Sequence, residues 1–438
     1  MKNLENLNVF LQNFGCKVNA TETESIAALL KQDGWTITDQ PETADAVILN
    51  SCTVTASGDQ RMLQAIRKLR AKAPQNAVFL LTGCYVQAFP EDAANILGID
   101  LILGTKNRMQ IPTLLRDFLD AGKFINAYAP FVSGEMFEFL PQGSDPSHTR
   151  AFLKIQDGCN RFCSYCIIPY ARGRCRSLGL PEISKKAEQL KTYPEVVLCG
   201  INLACYGMGT ELSIVDAVKC LADAGIPRIR LGSLEPDGLT DAVLEGLQVI
   251  PTFMSHFHIS VQSGCDRILK AMHRNYTCAD YETLILKIRE LFPGCAVTTD
   301  LMTGFPGETE QDFCETLEFV KKIQFSQIHI FRYSPRPGTS AAEMPEQIPE
   351  SIKKNRAEQL SQLSGQLHEN YLKSCIGKIF HVLWERQKHP DYHTGHAENY
   401  MLVEIPANPG EHFRGAIHPV KITGIRNGKL TGERICNY

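Results

Sequence analysis

The chain has 438 residues, enough for two or three domains that each bury a core of their own. Its formal net charge of -3 gives no overall indication of nucleic-acid binding, so any contact with RNA must come from local basic patches. The 16 cysteines are scattered along a chain whose start shows no signal peptide and whose apolar runs are too short to span a bilayer. We therefore expect neither a secreted disulfide framework nor a membrane protein, but a protein of the reduced cytoplasm.

The first 130 residues are predicted to form a small parallel α/β domain. Short apolar strands at 9–12, 46–50, 77–81 and 101–103 alternate with helical patterns, which is typical of this class. One helical segment carries a basic patch made of Arg61, Arg67, Lys68, Arg70 and Lys72. The patch is either a solvated helix face or a contact for RNA, and the sequence alone favours the solvated face.

Three cysteines of this domain lie at or near the ends of predicted strands. They are Cys16 in Gly-Cys-Lys-Val-Asn, Cys52 in Asn-Ser-Cys-Thr-Val-Thr and Cys84 in Thr-Gly-Cys-Tyr. The carboxyl ends of parallel strands share one edge of a sheet, so these cysteines can converge there. Three converging thiolates would hold an iron-sulfur cluster with one open iron. The alternative is three ordinary buried cysteines, and the pattern alone leaves both open.

A polar segment at 131–148 is predicted to link the first domain to a second α/β domain at 149–370. The turn-forming residues of this linker are Pro141, Gly143, Ser144, Pro146 and Ser147. Beyond it, strands are predicted at 152–156, 196–200, 229–232, 256–262, 297–302 and 327–333, with helices between them. Six such strands indicate an open (β/α)6 barrel, in which functional residues gather at the carboxyl ends of the strands.

A run of three cysteines follows the first strand of this predicted barrel. Cys159, Cys163 and Cys166 are spaced by three and then two residues, so they can hold one iron-sulfur cluster and leave one iron without a protein ligand. A structural zinc site would need a fourth close ligand, and both Cys175 and His148 are poorly placed for that role. Burial in a core would not by itself produce the spacing. An open iron can be chelated by S-adenosylmethionine, so that an electron from the cluster releases a 5'-deoxyadenosyl radical.

The last segment, 371–438, differs in character from the rest. A helical stretch at 352–375 precedes β-type segments at 380–384, 400–404 and 416–425, which are typical of a small β-barrel. From Tyr371 onward there are nine Lys and Arg against six Asp and Glu, so this is the relatively basic part of the chain.

Together these motifs resemble the methylthiotransferases, a branch of the radical S-adenosylmethionine superfamily. The resemblance rests on the three cysteine motifs of the first domain and on the Cys-x3-Cys-x2-Cys run followed by Ile-Ile-Pro-Tyr-Ala-Arg-Gly. Later matches include Ser-Leu-Glu-Pro at 233–236 and Tyr-Ser-Pro-Arg-Pro-Gly-Thr at 333–339. The resemblance covers nearly the whole chain, and the tail is similar to the TRAM barrel of these enzymes. Cys-Lys-Val-Asn and Cys-Thr-Val-Thr resemble the branch that acts on N6-threonylcarbamoyladenosine in tRNA.

The resemblance implies a tRNA methylthiotransferase that converts N6-threonylcarbamoyladenosine next to the anticodon to its 2-methylthio derivative. Two 4Fe-4S clusters and S-adenosylmethionine would be its cofactors. One cluster, on Cys159, Cys163 and Cys166, would generate the radical, and the other would carry the donated sulfur on Cys16, Cys52 and Cys84. Alternative substrates are isopentenyladenosine in tRNA and a ribosomal protein side chain. A cluster-carrying RNA-binding protein without catalysis is the alternative from another class.

The resemblance further implies cofactor contacts and partners. S-adenosylmethionine contacts are expected at strand ends, from Gly200, Asn202, Ser233, Glu235, Gln262 and Arg274, although Arg274 could almost equally be a surface charge. No catalytic residue beyond the cluster ligands is predicted. The anticodon loop of tRNA is expected to bind the C-terminal barrel at Lys421, Arg426, Lys429 and Arg434, with the basic helix as a further contact. A flavodoxin or ferredoxin is expected as reductant, and neither a membrane nor DNA is an expected partner.

Overall fold

The computed structural model describes residues 7–143, 147–408 and 410–435, so Ser144 and Pro146 of the predicted linker lie outside the described residues. The chain forms two compact units. The first unit comprises residues 1–145, 156–178 and 334–342, and the second comprises residues 146–155, 179–333 and 343–438. The predicted domain intervals 1–130, 131–148, 149–370 and 371–438 stay predictions. No described helix is long and apolar enough to cross a membrane.

Residues 7–143 hold a parallel sheet covered by helices. The strands are β1 (Asn8–Asn13), β2 (Thr36–Ile37), β3 (Ala46–Ser51), β4 (Val78–Gly83), β5 (Leu101–Leu103) and β6 (Ile125–Asn126). The helices are α1 (Lys17–Gln32), α2 (Ala56–Lys72), α3 (Cys84–Ala88), α4 (Pro90–Ala94) and α5 (Ile111–Ala121). Neighbouring strands run parallel in the order β2-β1-β3-β4-β5-β6.

Both faces of this sheet are covered, which explains the continuous apolar runs of its central strands. Every residue of β3 and β4 is buried. Val47 and Phe79 pack in one core with Ile66 of α2. Ile48 and Leu80 pack in a second core on the other face, together with residues of α1 and α5. The carboxyl ends of β1, β3 and β4 are thereby held side by side.

The chain next contributes to both units. It forms β7 (Ala151–Lys154), β8 (Gln156–Asp157), α6 (Ile168–Arg172) and β9 (Arg176–Ser177). Strand β7 belongs to the second unit, whereas β8, α6 and β9 belong to the first. Strands β8 and β9 pair antiparallel and bracket the cysteine run.

The second unit contains the predicted open barrel. Its further strands are β10 (Val196–Cys199), β11 (Ile229–Leu231), β12 (Ser233–Leu234), β13 (His256–Ile259), β14 (Ala296–Thr303) and β15 (Gln327–Arg332). The helices between them are α7 (Leu180–Leu190), α8 (Ile214–Asp223), α9 (Asp241–Gln248), α10 (Asp266–Ala271), α11 (Cys278–Leu291) and α12 (Glu310–Ile323). Strands pair in parallel as β11-β10-β7 and as β12-β13-β14-β15. The predicted third strand, 229–232, corresponds to β11, and the short strand β12, which follows after Gly232, was not predicted.

The C-terminal segment forms a small closed β-barrel in which all strand pairs but one are antiparallel. After α13 (Ser340–Glu343) and α14 (Glu350–Cys375) come β16 (Ile379–Trp384), β17 (Tyr392–His396), β18 (Leu402–Pro406), β19 (Ile417–Arg426) and β20 (Lys429–Arg434). The strand order around the barrel is β16-β17-β18-β20-β19, and Trp384, Val403 and Val420 are fully buried in its core. The predicted fold class is confirmed in all three of its parts: parallel α/β domain, partial barrel and small β-barrel.

Candidate metal centres and cofactor site

The structure brings Cys16, Cys52 and Cys84 together at one edge of the first sheet. Each follows one of three neighbouring strands, since Cys16 precedes α1 after β1, Cys52 follows β3, and Cys84 begins α3 after β4. The thiols of Cys16 and Cys84 lie 3.8 and 3.9 Å from the same acceptor, Asn19 Oδ1. The Asn19 side-chain amide also donates to the carbonyl oxygens of Phe14 and Ser51, at 3.0 and 2.8 Å. These two bonds orient Asn19 so that its oxygen faces the sulfur atoms.

The glycine before Cys16 and the glycine before Cys84 are required by this close approach. Gly15 has φ +114°, and a Cβ placed there would lie 2.5 Å from Cys52 Cβ. Gly83 has φ +101°, and its added Cβ would lie 2.5 Å from Asn50 Oδ1. Both positions combine a left-handed backbone with a contact that a side chain would fill. The Gly-Cys pairs of the sequence therefore allow the strand ends to approach one another.

The electrostatics of this triad fit a metal centre. Burial raises the pKa of the Cys84 thiol to about 12, while the Arg172 guanidinium opposes the rise and the neighbouring thiols add to it. Burial likewise raises the pKa of Cys52. Without metal the thiols of Cys84 and Cys52 hold their protons at neutral pH. Binding of iron would release these protons, since the thiolate is the ligand. Three soft donors beside a buried cation suit an anionic iron-sulfur cluster better than a hard cation such as Mg²⁺.

The second triad lies in the loop between β8 and α6, also in the first unit. The Cys159 amide donates to Gly173 O at 3.0 Å, and the Cys166 amide donates to Cys163 O at 3.0 Å. Phe162 adopts the left-handed φ of +48° and meets the Tyr170 ring edge-on at 5.5 Å. These two hydrogen bonds form a turn between Cys163 and Cys166 and hold Cys159 beside the residue that follows α6, whereas a cluster shared by the three cysteines stays a prediction.

A third segment of the first unit closes onto this loop. The Ala341 amide donates to Ser164 O at 2.8 Å, within the cysteine run. In the same segment, Arg336 donates to Thr53 Oγ1 at 2.7 Å and pairs with Asp59 at 2.6 Å. Thr53 follows Cys52 directly, so the segment 334–342 contacts the neighbourhoods of both triads. The Arg-Pro-Gly-Thr motif of this segment is part of the resemblance to the methylthiotransferases, but the sequence gives no indication of these contacts.

The expected S-adenosylmethionine contacts lie in the second unit, at the carboxyl ends of its barrel strands. Gly200 and Asn202 follow β10, Ser233 opens β12, Glu235 follows β12, and Gln262 follows β13. Gln262 has a left-handed φ of +69°, and its amide donates to Asp300 O at 2.9 Å. Gly200, Asn202, Glu235 and Gln262 thus lie beyond the ends of strands, whereas Ser233 is the first residue of β12. The contact of the whole set with the cofactor stays a prediction.

Arg274 is not a surface charge. Its side chain is buried and forms an ion pair with Glu235, another member of the expected set. Arg274 also donates to Tyr276 Oη at 2.8 Å and to Ser260 O at 3.0 Å. Through these contacts Arg274 holds Glu235 and the backbone that follows β13 in place.

Three residues beside the first triad were not singled out from the sequence. Arg172 of α6 donates to Cys84 Sγ at 3.1 Å and to Asn19 Oδ1 at 2.7 Å, and it pairs with Glu22 of α1. A charged residue on a short helix of apolar neighbours was a weak indication for Arg172. Asn19 closes the Gly-Cys-Lys-Val-Asn motif, which marks its position but not its contact with the thiols. Glu22 has no such mark, because an amphipathic helix routinely carries such a residue.

Part of the predicted RNA-binding charge is committed to ion pairs. On α2, Arg61, Arg67 and Lys68 are exposed, but Arg70 pairs with Asp100 and donates to Ala77 O at 2.8 Å. In the C-terminal barrel, Arg426 and Lys429 both pair with Glu404. Arg434 lies 3.6 Å from Glu411, whereas Lys421 is exposed.

Comparison with known proteins places the chain in a family. Residues 8–104 match the Uncharacterized protein family UPF0004, and residues 153–320 match the Radical SAM superfamily. The Threonylcarbamoyladenosine tRNA methylthiotransferase MtaB of Bacillus subtilis (strain 168) is 37% identical over 425 residues, 94% of this chain and 93% of the relative. The chain belongs to the radical S-adenosylmethionine methylthiotransferase family. As a member, this methylthiotransferase uses two 4Fe-4S clusters and S-adenosylmethionine as cofactors.

Other relatives carry two different substrate names. The protein of Thermotoga maritima with the same name as the Bacillus enzyme is 36% identical, over 95% of this chain and 94% of its own. The tRNA-2-methylthio-N(6)-dimethylallyladenosine synthase of Pelotomaculum thermopropionicum is 33% identical, over 97% of each chain. The identities to relatives with the two substrate names differ by only a few per cent, so overall identity does not decide which tRNA nucleoside is the substrate.

Solved structures support the fold of this methylthiotransferase. The radical S-adenosylmethionine methyltransferase TsrM from Kitasatospora setae matches with a TM-score of 0.57, over 77% of this chain and 74% of that chain. The two sequences are 15% identical, so the likeness shows the fold alone.

Proposed function

We propose that this methylthiotransferase converts N6-threonylcarbamoyladenosine next to the tRNA anticodon to its 2-methylthio derivative. The observation that carries the proposal is the presence of two cysteine triads in the first unit. Cleavage of S-adenosylmethionine needs only one cluster with an open iron. A second triad, gathered from three separate strand ends, suits an enzyme that must also hold the sulfur to be donated.

The two triads have different roles in the proposal. Cys159, Cys163 and Cys166 hold the radical-generating cluster, and Cys16, Cys52 and Cys84 hold the auxiliary cluster. When bound, the clusters and S-adenosylmethionine supply the radical and the sulfur, which no side chain can provide. The chain itself aligns the ligands, through Asn19 and the glycines of the first triad and through the turn of the second.

The strand-end residues Gly200, Asn202, Ser233, Glu235 and Gln262 are the proposed S-adenosylmethionine contacts. Glu235 is the most defined of them, because the buried Arg274 guanidinium fixes its carboxylate. A carboxylate so fixed is a good acceptor for a ribose hydroxyl or an ammonium group. Arg274 is accordingly assigned to positioning Glu235. It contacts the carboxylate of S-adenosylmethionine only if its N–H groups donate to that carboxylate and to Glu235 at the same time.

Choice of substrate rests on the residues that follow two of the cysteines. Cys-Lys-Val-Asn and Cys-Thr-Val-Thr resemble the threonylcarbamoyladenosine branch, and the first two relatives above carry that name. The anticodon loop of tRNA, a flavodoxin-like or ferredoxin-like reductant and a cytoplasmic location complete the proposal. Bases of such a loop are accessible to a protein without opening a duplex.

Nucleoside analysis in cells tests the substrate. A strain lacking this gene should lose 2-methylthio-N6-threonylcarbamoyladenosine from its tRNA and accumulate the unmodified precursor, as measured by liquid chromatography and mass spectrometry. Loss of the methylthio derivative of isopentenyladenosine, with the threonylcarbamoyl derivative retained, would assign the other substrate.

Separate triad variants test the division of labour. With Cys16, Cys52 and Cys84 all changed to Ala, the protein should still form 5'-deoxyadenosine from S-adenosylmethionine but give no methylthio product. With Cys159, Cys163 and Cys166 changed to Ala, 5'-deoxyadenosine should not form. Each variant should contain about half the iron and sulfide of the parent, because one of two independently held clusters is missing. Unchanged iron in either variant would overturn its ligand assignment.

A further inference from the structure

Arg172 is a fully buried cation whose donors point at the first triad. Its Nε–H donates to Cys84 Sγ at 3.1 Å, and an Nη2–H donates to Asn19 Oδ1 at 2.7 Å. Asn19 Oδ1 also lies 3.8 and 3.9 Å from the thiols of Cys16 and Cys84. One guanidinium thus contacts a proposed cluster ligand and the amide that orients two of the three ligands.

The position of Arg172 is fixed by carboxylates on its other side. Glu22 accepts from both Nη atoms of Arg172, at 2.5 and 2.9 Å. The same carboxylate pairs with Arg108 at 2.7 Å, and Arg108 pairs in turn with Glu138 at 2.5 Å. This network holds the Arg172 guanidinium in place beside the sulfur atoms. Rotation of the guanidinium away from them would break its ion pair with Glu22 and leave buried charges unpaired.

Arg172 also belongs to the chain segment that carries the second triad. It ends α6, which begins two residues after Cys166. The next residue, Gly173, accepts a hydrogen bond from the Cys159 amide at 3.0 Å. Thr105 Oγ1 donates to Ala171 O at 2.8 Å, which ties α6 to the first domain's own loop. The turn that presents one triad therefore also delivers a donor to the other.

We propose that Arg172 is a positioning residue for the auxiliary cluster, raising its reduction potential through the N–H···S hydrogen bond to Cys84 and tying it to the loop of the radical triad. The inference rests on the proposed function, because it takes Cys16, Cys52 and Cys84 as the cluster ligands. Hydrogen bonds to ligand sulfur withdraw charge from a cluster and favour its reduced form. A donor from a buried guanidinium is stronger than a neutral one, as its charge assists the bond.

The test uses the full chain with Cys159, Cys163 and Cys166 changed to Ala, so that only the auxiliary cluster is loaded. Its midpoint potential is measured by redox titration followed by electron paramagnetic resonance. Arg172→Gln should lower the potential by about 59 mV, which is a tenfold change in the ratio of oxidised to reduced cluster for one electron. Arg172→Lys keeps the positive charge but removes the guanidinium N–H that donates to Cys84, and should lower the potential less than Arg172→Gln does. The matched control is Arg174→Gln, which removes an exposed guanidinium two residues away and should leave the potential unchanged.

A second measurement detects the contact between Arg172 and the cluster directly. The reduced auxiliary cluster, in protein labelled with nitrogen-15 arginine, should show a weak nitrogen-15 coupling in pulsed electron paramagnetic resonance. That coupling should vanish in Arg172→Lys and persist in Arg174→Gln. A cluster that shows no arginine coupling, or a potential that Arg172→Gln and Arg174→Gln shift equally, would overturn the role of Arg172. Absence of any cluster from the parent of this series would instead overturn the proposed function.

Discussion

Asn19 and Arg172 are two side chains that contact the thiols of the proposed auxiliary-cluster site. Asn19 donates its amide hydrogens to the carbonyl oxygens of Phe14 and Ser51, and its oxygen accepts from Arg172 and faces the thiols of Cys16 and Cys84. Arg172 places a positive charge beside Cys84, which would favour thiolate ligands if the proposed cluster binds there. Burial by these neighbours has a measurable consequence for the reactivity of the free thiols.

In metal-free, reduced protein, Cys84 should be alkylated at least tenfold more slowly than Cys16. Cys84 is 2% exposed and its pKa is raised to about 12 by burial, whereas Cys16 is exposed. Since the thiolate is the reacting form, both access and ionisation disfavour Cys84. A time course with iodoacetamide at pH 8, read by peptide mass spectrometry, measures the two rates. Equal rates would show that the site opens freely without metal.

Helix α2 is the element on which structural and RNA-binding charges can be separated. Arg61, Arg67 and Lys68 are exposed, whereas Arg70 lies over the Phe79 ring at 3.9 Å and pairs with Asp100. Thr55 caps the helix by accepting from the Gly58 amide, so the exposed face is regular to its first turn.

Changing Arg61, Arg67 and Lys68 together to Ala should weaken tRNA binding and lower its salt slope by up to about three units if each contacts phosphate. Arg70→Ala should instead lower the melting temperature and leave the salt slope as it is. Filter binding across a range of salt concentrations and thermal melts distinguish the two. If the triple variant bound tRNA with the same salt slope as the parent, this face of α2 would be solvent-exposed surface that does not contact RNA.

The C-terminal barrel gives a similar contrast. Lys421→Ala should lower the salt slope of tRNA binding by about one unit, because its charge is exposed. Arg426→Ala should change the slope less, because Glu404 already neutralises that guanidinium. The same binding titration compares the two variants. A larger loss of slope for Arg426 than for Lys421 would mean that its ion pair opens on binding.

Sequence patterns predicted most of the longer elements, because apolar runs and apolar periodicity follow burial, but the barrel strands β17 and β20 were not predicted. The parallel strands, the partial barrel and the helix before the tail all follow from apolar runs and turn residues. Convergence of Cys16, Cys52 and Cys84 could be argued from strand ends, since neighbouring parallel strands share an edge. Pairings such as Arg172 with Cys84, Arg274 with Glu235 and Arg70 with Asp100 could not. They join side chains from distant segments, and no local period reports them.

At the scale of the whole chain, the second unit depends on a buried carboxylate. Glu195, just before β10, lies 3.0 Å from both Arg228 and Arg230 and 3.3 Å from Arg150. The same arginines reach into the C-terminal barrel, where Arg230 donates to Ala397 O at 2.7 Å and Arg150 donates to Tyr400 Oη at 2.9 Å. Deleting the barrel would strip these buried cations of acceptors, so point changes are the cleaner test of its RNA contacts.

Glu195→Ala should lower the free energy of unfolding by about 3–5 kcal/mol, as it leaves buried guanidinium groups unpaired. The matched control, Glu188→Ala, removes an exposed partner of Lys191 and should cost no more than about 1 kcal/mol. Denaturant unfolding followed by circular dichroism measures both. Equal losses would show that the buried network contributes nothing special.

The same network gives a pH dependence. Burial alone would raise the pKa of Glu195, but Arg230, Arg228 and Arg150 outweigh it and hold the pKa below its usual value. A lowered carboxyl pKa stabilises the fold above the unfolded value of about 4.3 and loses that contribution as pH falls through the folded pKa. The stability difference between the parent and Glu195→Gln should therefore shrink on acidification, not on raising the pH.

The most direct test of the central claim is turnover by the purified, anaerobically reconstituted protein. It is given S-adenosylmethionine, a chemical reductant and an equal mixture of two tRNAs, one bearing N6-threonylcarbamoyladenosine and one bearing isopentenyladenosine. We expect that only the threonylcarbamoyl nucleoside gains a methylthio group, as measured by mass spectrometry of the digested tRNA. The Cys16, Cys52 and Cys84 triple Ala variant should give none. A methylthio group on isopentenyladenosine alone, or product from the triple variant, would contradict the account.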